Sequence, residues 1–213
     1  FELKSIRLEQ DGASARVTAN LDVVRMDASL VLTYILYADG SLTVKEHLDV
    51  NEEAKHKPMP TRFGMQWVMP EEYAQVCYYG RGPEENYIDR KESQHLGIFS
   101  QSVAEQYHAY IRPQESGNHS DVRYWQVLNA KGEGLEFKAH GPMECSSLNY
   151  FPSDLDDGPD KNARQSHSGD LTPHNLTVTQ VAQTQMGLGC VNSWGAWAEQ
   201  EYLLGWKDRE FMY

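Results

Sequence analysis

Ala15-Arg16-Val17-Thr18-Ala19-Asn20-Leu21-Asp22-Val23 puts an apolar residue at every second position. Successive side chains of an extended strand point to opposite faces, so a period of two describes a strand with one face buried and the other in water. Downstream, Leu30 to Tyr37 is a β-branched and aromatic run, and after Asp39-Gly40 the alternation continues through Leu42, Val44, Glu46, Leu48 and Val50. Asp-Gly between two such runs is the sequence of a hairpin, because both residues tolerate the left-handed backbone of a tight turn. These elements predict antiparallel sheet.

The pattern extends both ways. Phe1 to Leu8 is strand-like, Asn51 to Pro60 reads as a charged, proline-bearing connection, and Phe63 to Met69 and Ala74 to Tyr79 predict further strands. Val122 to Leu128 and Leu135 to Ala139 flank Asn129-Ala130-Lys131-Gly132 as a second hairpin, and Cys145 to Phe151 and Leu176 to Gln183 complete the set. The polar stretch Asp154 to Pro173 predicts a long surface excursion, part of it a short helix. No fixed-period repeat, low-complexity tract or linker divides the chain. Residues 1–213 are therefore expected to form a single all-β domain, mainly antiparallel, built as a large β-sandwich.

A chain of 213 residues can bury a substantial core without a disulfide or a metal. Cys77, Cys145 and Cys190 are odd in number and far apart, which predicts buried thiols and argues against a disulfide framework or a zinc ribbon. The net charge of −12 opposes phosphates and anionic lipid, so no nucleic-acid or membrane partner is expected. No apolar run approaches the roughly 20 residues needed to span a bilayer, which predicts a soluble domain and leaves cytoplasm and periplasm undecided. The chain opens on a strand without an initiator Met and is expected to be a piece of something longer.

Function is expected in Tyr78-Tyr79-Gly80-Arg81-Gly82-Pro83-Glu84-Glu85-Asn86-Tyr87-Ile88-Asp89-Arg90. Gly80 and Gly82 allow close backbone approach or unusual angles, and Pro83 fixes the chain after them. Tyrosine faces among charged and amide groups suit sugars, which have apolar faces and polar rims. The plainer reading gives the same residues a structural task, with Arg81 or Arg90 paired to Asp89 or Glu85 to hold the loop.

Two other segments carry potential chemistry. Met186-Gly187-Leu188-Gly189-Cys190-Val191-Asn192-Ser193-Trp194-Gly195 lacks the third glycine and following helix of a phosphate loop. Trp194, between small residues, offers an indole platform for a pyranose, or else covers one end of the core with Trp197. Tyr110 to Trp125 gathers Arg112, Gln114, Glu115, His119 and Arg123 and could line the same face as the first loop. Glu84, Glu85, Asp89 and Glu115 are carboxylates, but sequence does not give the separation that glycoside hydrolysis requires. Histidine spacing predicts no metal site, and no nucleophile elbow is present.

Through Tyr79-Gly80-Arg81-Gly82-Pro83-x-Glu85-Asn86-Tyr87-x-Asp89-Arg90, Tyr110-Ile111-Arg112-Pro113-Gln114-Glu115-Ser116-Gly117 and Met186 to Gly195, the chain resembles the C-terminal small-chain domain of glycoside hydrolase family 2 beta-galactosidases. The resemblance spans nearly the whole chain. It implies a supersandwich of the galactose mutarotase-like type, packed beside a catalytic (β/α)8 barrel of the same polypeptide. It implies that no catalytic residue lies here and that the fragment alone is inactive, while the full-length enzyme, a homo-oligomer, hydrolyses terminal β-D-galactosides. It gives Trp194 the role of stacking against the aglycone or acceptor sugar. It makes Arg81, Gly82, Glu85 and Asn86 part of a mobile substrate-binding loop that shapes or gates the pocket. Magnesium and sodium would lie mostly with the barrel, so no metal or cofactor is expected here. The family commonly has a further strand after the tyrosine-rich segment, which makes the last strand here an expected incomplete one. Two alternatives stay open. One is a free-standing carbohydrate-binding module. The other is a mutarotase-like epimerase using His119 or His140 with Glu115.

Overall fold

The alternating run of 15–23 becomes β2 (Ser14–Val23), in register with β1 (Glu2–Asp11) on one side and β3 (Ala28–Tyr37) on the other. The computed structural model describes residues 1–156, 166–189 and 195–213. β3 turns at Gly40, whose φ of 85° lies in the left-handed region, into β4 (Leu42–Val50), and β13 (Arg209–Met212) pairs with the far edge of β4. This first sheet has the order β1-β2-β3-β4-β13.

The remaining strands are β5 (Arg62–Pro70), β6 (Gln75–Gly82), β7 (His95–Ser102), β8 (His119–Val122), β9 (Tyr124–Leu128), β10 (Gly134–Phe137), β11 (Met143–Leu148) and β12 (Leu176–Gln185). They form two four-stranded antiparallel sheets, β5-β12-β11-β8 and β10-β9-β6-β7. Among the described residues the only helical turns are short 3-10 segments, and no helix is long and apolar enough to cross a membrane. Of those turns, Ser168–Asp170 falls in the predicted excursion and Pro152–Leu155 overlaps its start.

The β5 sheet joins the other two. On the first-sheet side, Trp67 Nε1 donates to the Tyr213 hydroxyl at 3.0 Å, and the Tyr34 hydroxyl approaches Met65 sulfur at 3.7 Å. On the other, Trp67 lies 5.5 Å from the Phe137 ring, and the Trp125 indole donates to Ser147 Oγ at 2.9 Å. Trp125 also stacks on Tyr78 at 4.7 Å between centroids, both rings wholly buried. Such a pair contributes about 0.5–1.5 kcal/mol beyond its buried area. The inward faces of all three sheets thus form one apolar cluster.

Three expectations need correction. Val122 to Leu128 is not one strand. Asp121 takes a left-handed φ of 57°, and the chain passes from β8 in one sheet to β9 in another. Cys145 is buried as expected, but Cys77 is only half-buried, and Cys190 lies outside the described residues. Trp197 is 63 % exposed and so covers no core.

Candidate functional site

At the end of β6, Gly82 is in extended pairing with His95, and its peptide bond to Pro83 is cis. The glycine is required by space and not by angle. A Cβ there would come within 2.4 Å of the Tyr78 hydroxyl and 2.9 Å of the Phe99 ring. A core tyrosine thus sits directly beneath the start of the loop.

Asn86 organises the turn beyond Pro83. It is fully buried, and its Nδ2 donates to the carbonyls of Arg81 and Glu84, both at 3.0 Å, while its Oδ1 accepts from Ser120 N–H at 2.9 Å. Its backbone is clamped as well, N–H to Asn118 O at 2.7 Å and O from Asn118 Nδ2 at 2.9 Å. A buried amide with every contact satisfied rigidifies a turn, because each broken contact would strand a polar group away from water.

Glu85 points the other way, with a side chain 4 % exposed. One oxygen accepts from Arg90 at 2.5 Å and from the Tyr110 hydroxyl, and the other accepts from Gly117 N–H at 2.6 Å. Arg90 also lies over the Tyr87 ring at 5.0 Å. Asp89 reaches a third segment, accepting from Leu188 N–H at 3.1 Å and Gly189 N–H at 2.8 Å. Gly187 is packed under that carboxylate, 2.6 Å from where its Cβ would stand. Of the alternative pairings expected for the loop, the structure realises Arg90 with Glu85. Asp89 instead serves the glycine-rich segment that follows β12, and Arg81 turns to Asp121.

Arg81 Nε donates to Asp121 at 2.6 Å, and its Nη1 reaches the carbonyls of Lys91 and Gln94. Burial alone would raise the Asp121 carboxyl, but hydrogen bonds from Arg81 and Lys91 hold it below the ordinary aspartate range. Beneath the loop, His119 is wholly buried, with Nδ1 3.1 Å from the Tyr78 hydroxyl and 3.0 Å from Arg81 O. Burial pushes its pKa down to about 4, so the ring is neutral at pH 7. Glu144 accepts from Asn118 Nδ2 and Ser120 Oγ, both at 2.7 Å, and burial lifts it to about 7. His119 is thus held by Tyr78 and a carbonyl, whereas Glu115 pairs with Arg62 at 2.7 Å. Among the described residues no three His, Cys, Asp or Glu side chains cluster to hold a metal ion.

Arg81, Gly82, Glu85 and Asn86 are thus brought together with the Tyr110–Gly117 stretch and with Gly187–Gly189. Trp194 lies outside the described residues. Sequence reading did not single out Asp121, Asn118 or Glu144 as partners. Their pairing depends on sheet register, and no local pattern announces it.

The family described as Beta galactosidase small chain matches residues 2–213. The chain belongs to that family. Among its relatives, the beta-galactosidase of Halalkalibacterium halodurans is 35 % identical over 84 % of this chain and 17 % of its own length. That of Lactobacillus delbrueckii subsp. bulgaricus is 33 % identical over 94 % of this chain and 19 % of its own length. This small-chain sequence therefore spans less than a fifth of the relatives it matches.

Within the small-chain fold, Asp89 is the link between the loop and the glycine-rich segment at Leu188–Gly189. Asp89→Ala is expected to leave two N–H groups without their acceptor, at about 2 kcal/mol. The consequence to measure is faster amide exchange at Leu188 and Gly189 with β5 and β12 protection unchanged. Unaltered exchange at those two amides would show that the carboxylate does not hold the segment.

Proposed function

We propose that this chain is a non-catalytic C-terminal domain of a longer beta-galactosidase acting on terminal β-D-galactosides, and that it completes an active site built on a barrel elsewhere in that polypeptide. The observation that carries this reading is the joining, by Glu85 and Asp89, of the three segments on which the family resemblance rests. In this reading Arg81, Gly82, Glu85 and Asn86 act chiefly by fixing the loop against the pocket, since Asn86 is wholly buried and Glu85 nearly so. Trp194, which follows Gly189 in sequence, supplies the stacking face for the acceptor sugar. Three antiparallel sheets around one apolar cluster suit the galactose mutarotase-like supersandwich. Magnesium or sodium would belong to the other part of the enzyme, and the working form would be a homo-oligomer.

The test compares hydrolysis of a chromogenic β-galactoside by the 213-residue chain and by the full-length polypeptide, with Trp194→Ala made in the latter. Expected are no turnover by the chain, turnover by the full-length protein, and acceptor binding weakened roughly tenfold by the substitution, about 1.4 kcal/mol. Turnover by the isolated chain would place the reacting carboxylates within it and overturn the reading.

A further inference from the structure

The Gln185–Leu188 stretch, whose far end Asp89 holds, also forms one wall of a groove of about 410 Å3. We propose that this groove is a second carbohydrate subsite, which takes a hexopyranose ring of a galactoside longer than a disaccharide and stacks it on Trp197. The inference rests on the beta-galactosidase reading above and adds to it a site apart from Trp194.

Its size is that of a small-molecule site, within the roughly 300–1,000 Å3 such sites occupy. Its lining has the two characters a pyranose needs. Pro113, Leu155 and Leu188 give apolar wall, and Glu115 and Gln185 give polar groups for hydroxyls. The polar groups are fixed in advance. Arg62 donates to Glu115 Oε1 at 2.7 Å and to Gln185 Oε1 at 2.5 Å, so one guanidinium sets both side chains. Preorganised polar groups lose little freedom on binding, which favours affinity.

Trp197 is the informative member. Trp197 lines the groove yet is 63 % exposed, so core packing does not account for it. Its backbone is seated on Gly189, where an added Cβ would lie 3.0 Å from Ala196 O and from Ala198 N, and the φ of 80° at Gly189 also favours glycine. Trp197 is thereby packed through its backbone against Gly189, the residue that follows the Gln185–Leu188 wall. Leu188 and Gly189 are also the residues that Asp89 ties to the loop, and in this proposal a ring in the groove is the outer unit of a galactoside whose inner units occupy the proposed active site.

The test uses the full-length polypeptide and its Trp197→Ala and Trp197→Phe variants, with a chromogenic monogalactoside and a linear β-galactosyl trisaccharide as substrates. For Trp197→Ala the KM of the trisaccharide is expected to rise about tenfold, the equivalent of about 1.4 kcal/mol. Its kcat and both constants for the monogalactoside should stay as they were, and Trp197→Phe should recover most of the loss. A trisaccharide KM that does not move, as when another part of the polypeptide covers the groove, overturns the proposal, and so does an equal change for both substrates. A non-hydrolysable thio-linked trisaccharide, titrated against the same proteins by fluorescence, separates the two readings. If the unmodified protein hydrolyses neither substrate, the functional reading fails. The groove then stands only if Trp197→Ala abolishes binding of the thio-trisaccharide.

Discussion

Asn86→Asp is expected to destabilise the chain by roughly 3–5 kcal/mol at pH 8, the sum of an unpaired buried charge and lost hydrogen bonds. The substitution changes almost no volume. It replaces the Nδ2 donor, which now faces the carbonyls of Arg81 and Glu84 at 3.0 Å, with an oxygen that both carbonyls repel. The new carboxylate would stand in a wholly buried position, where only Ser120 N–H still donates to it. Its pKa should therefore rise, and the deficit should shrink by pH 5, where the protonated group can donate to one carbonyl again. Urea unfolding at both pH values, with Asn86→Ala as the uncharged comparison, reads this directly. A loss below about 1 kcal/mol at pH 8 would mean that the loop is not fastened through this amide.

The second large effect concerns Glu46, which occupies an apolar slot in the alternation of β4. It stands opposite Leu32 and Phe211, is 3 % exposed, and its Oε1 has no hydrogen-bond partner among the described residues. Burial raises its pKa from 4.5 to about 7. A carboxyl raised in the folded state binds its proton more tightly there than in the unfolded chain. Stability is therefore lost as pH climbs from about 4.5 to about 7 and stays reduced above that. Glu46→Gln, neutral at every pH, should come within about 1 kcal/mol of the parent at pH 5 and exceed it by roughly 3 kcal/mol at pH 8, the size of the linkage for such a shift. Parallel stability curves between pH 5 and 8 would show that the carboxyl is not desolvated. His119 works in the opposite sense. Its pKa, lowered to about 4, removes stability as pH falls from 6.5 toward 4.

What the sequence made legible was whatever repeats locally. β2, β3, β4, β5 and β12 follow their alternating or β-branched runs to within one or two residues, and β6 runs three residues past its predicted end. β7 went unread because it is an edge strand with glycine inside it and Ile98 70 % exposed, so no buried face imposes an alternation. β8 and β13 are four residues each, too short for a period to show, and β13 opens on Arg209-Glu210. The same divide separates the site residues. The Gly, Pro, Glu and Asn of the loop stood out by their concentration, whereas the contacts of Asn86 to Ser120 and of Asp89 to Gly189 join positions 34 and 100 apart. Sheet register creates those meetings, and no local composition records them. Glu46 shows the converse, since a pattern of alternation places a side chain inward without saying whether its charge has a partner.

β13 closes the first sheet from the far side of the chain. Asp208 accepts from Val50 N–H across 158 positions, and Trp67 reaches Tyr213 across 146. On a ribosome adding about 5–20 residues per second, β4 would emerge with its outer edge bare and wait roughly 8–30 s for the strand that covers it. During that interval the row of unpaired backbone groups on β4 is open to any other extended chain nearby. The hairpins of the first sheet can form early, but the edge of β4 is covered only once Arg209–Met212 have been made.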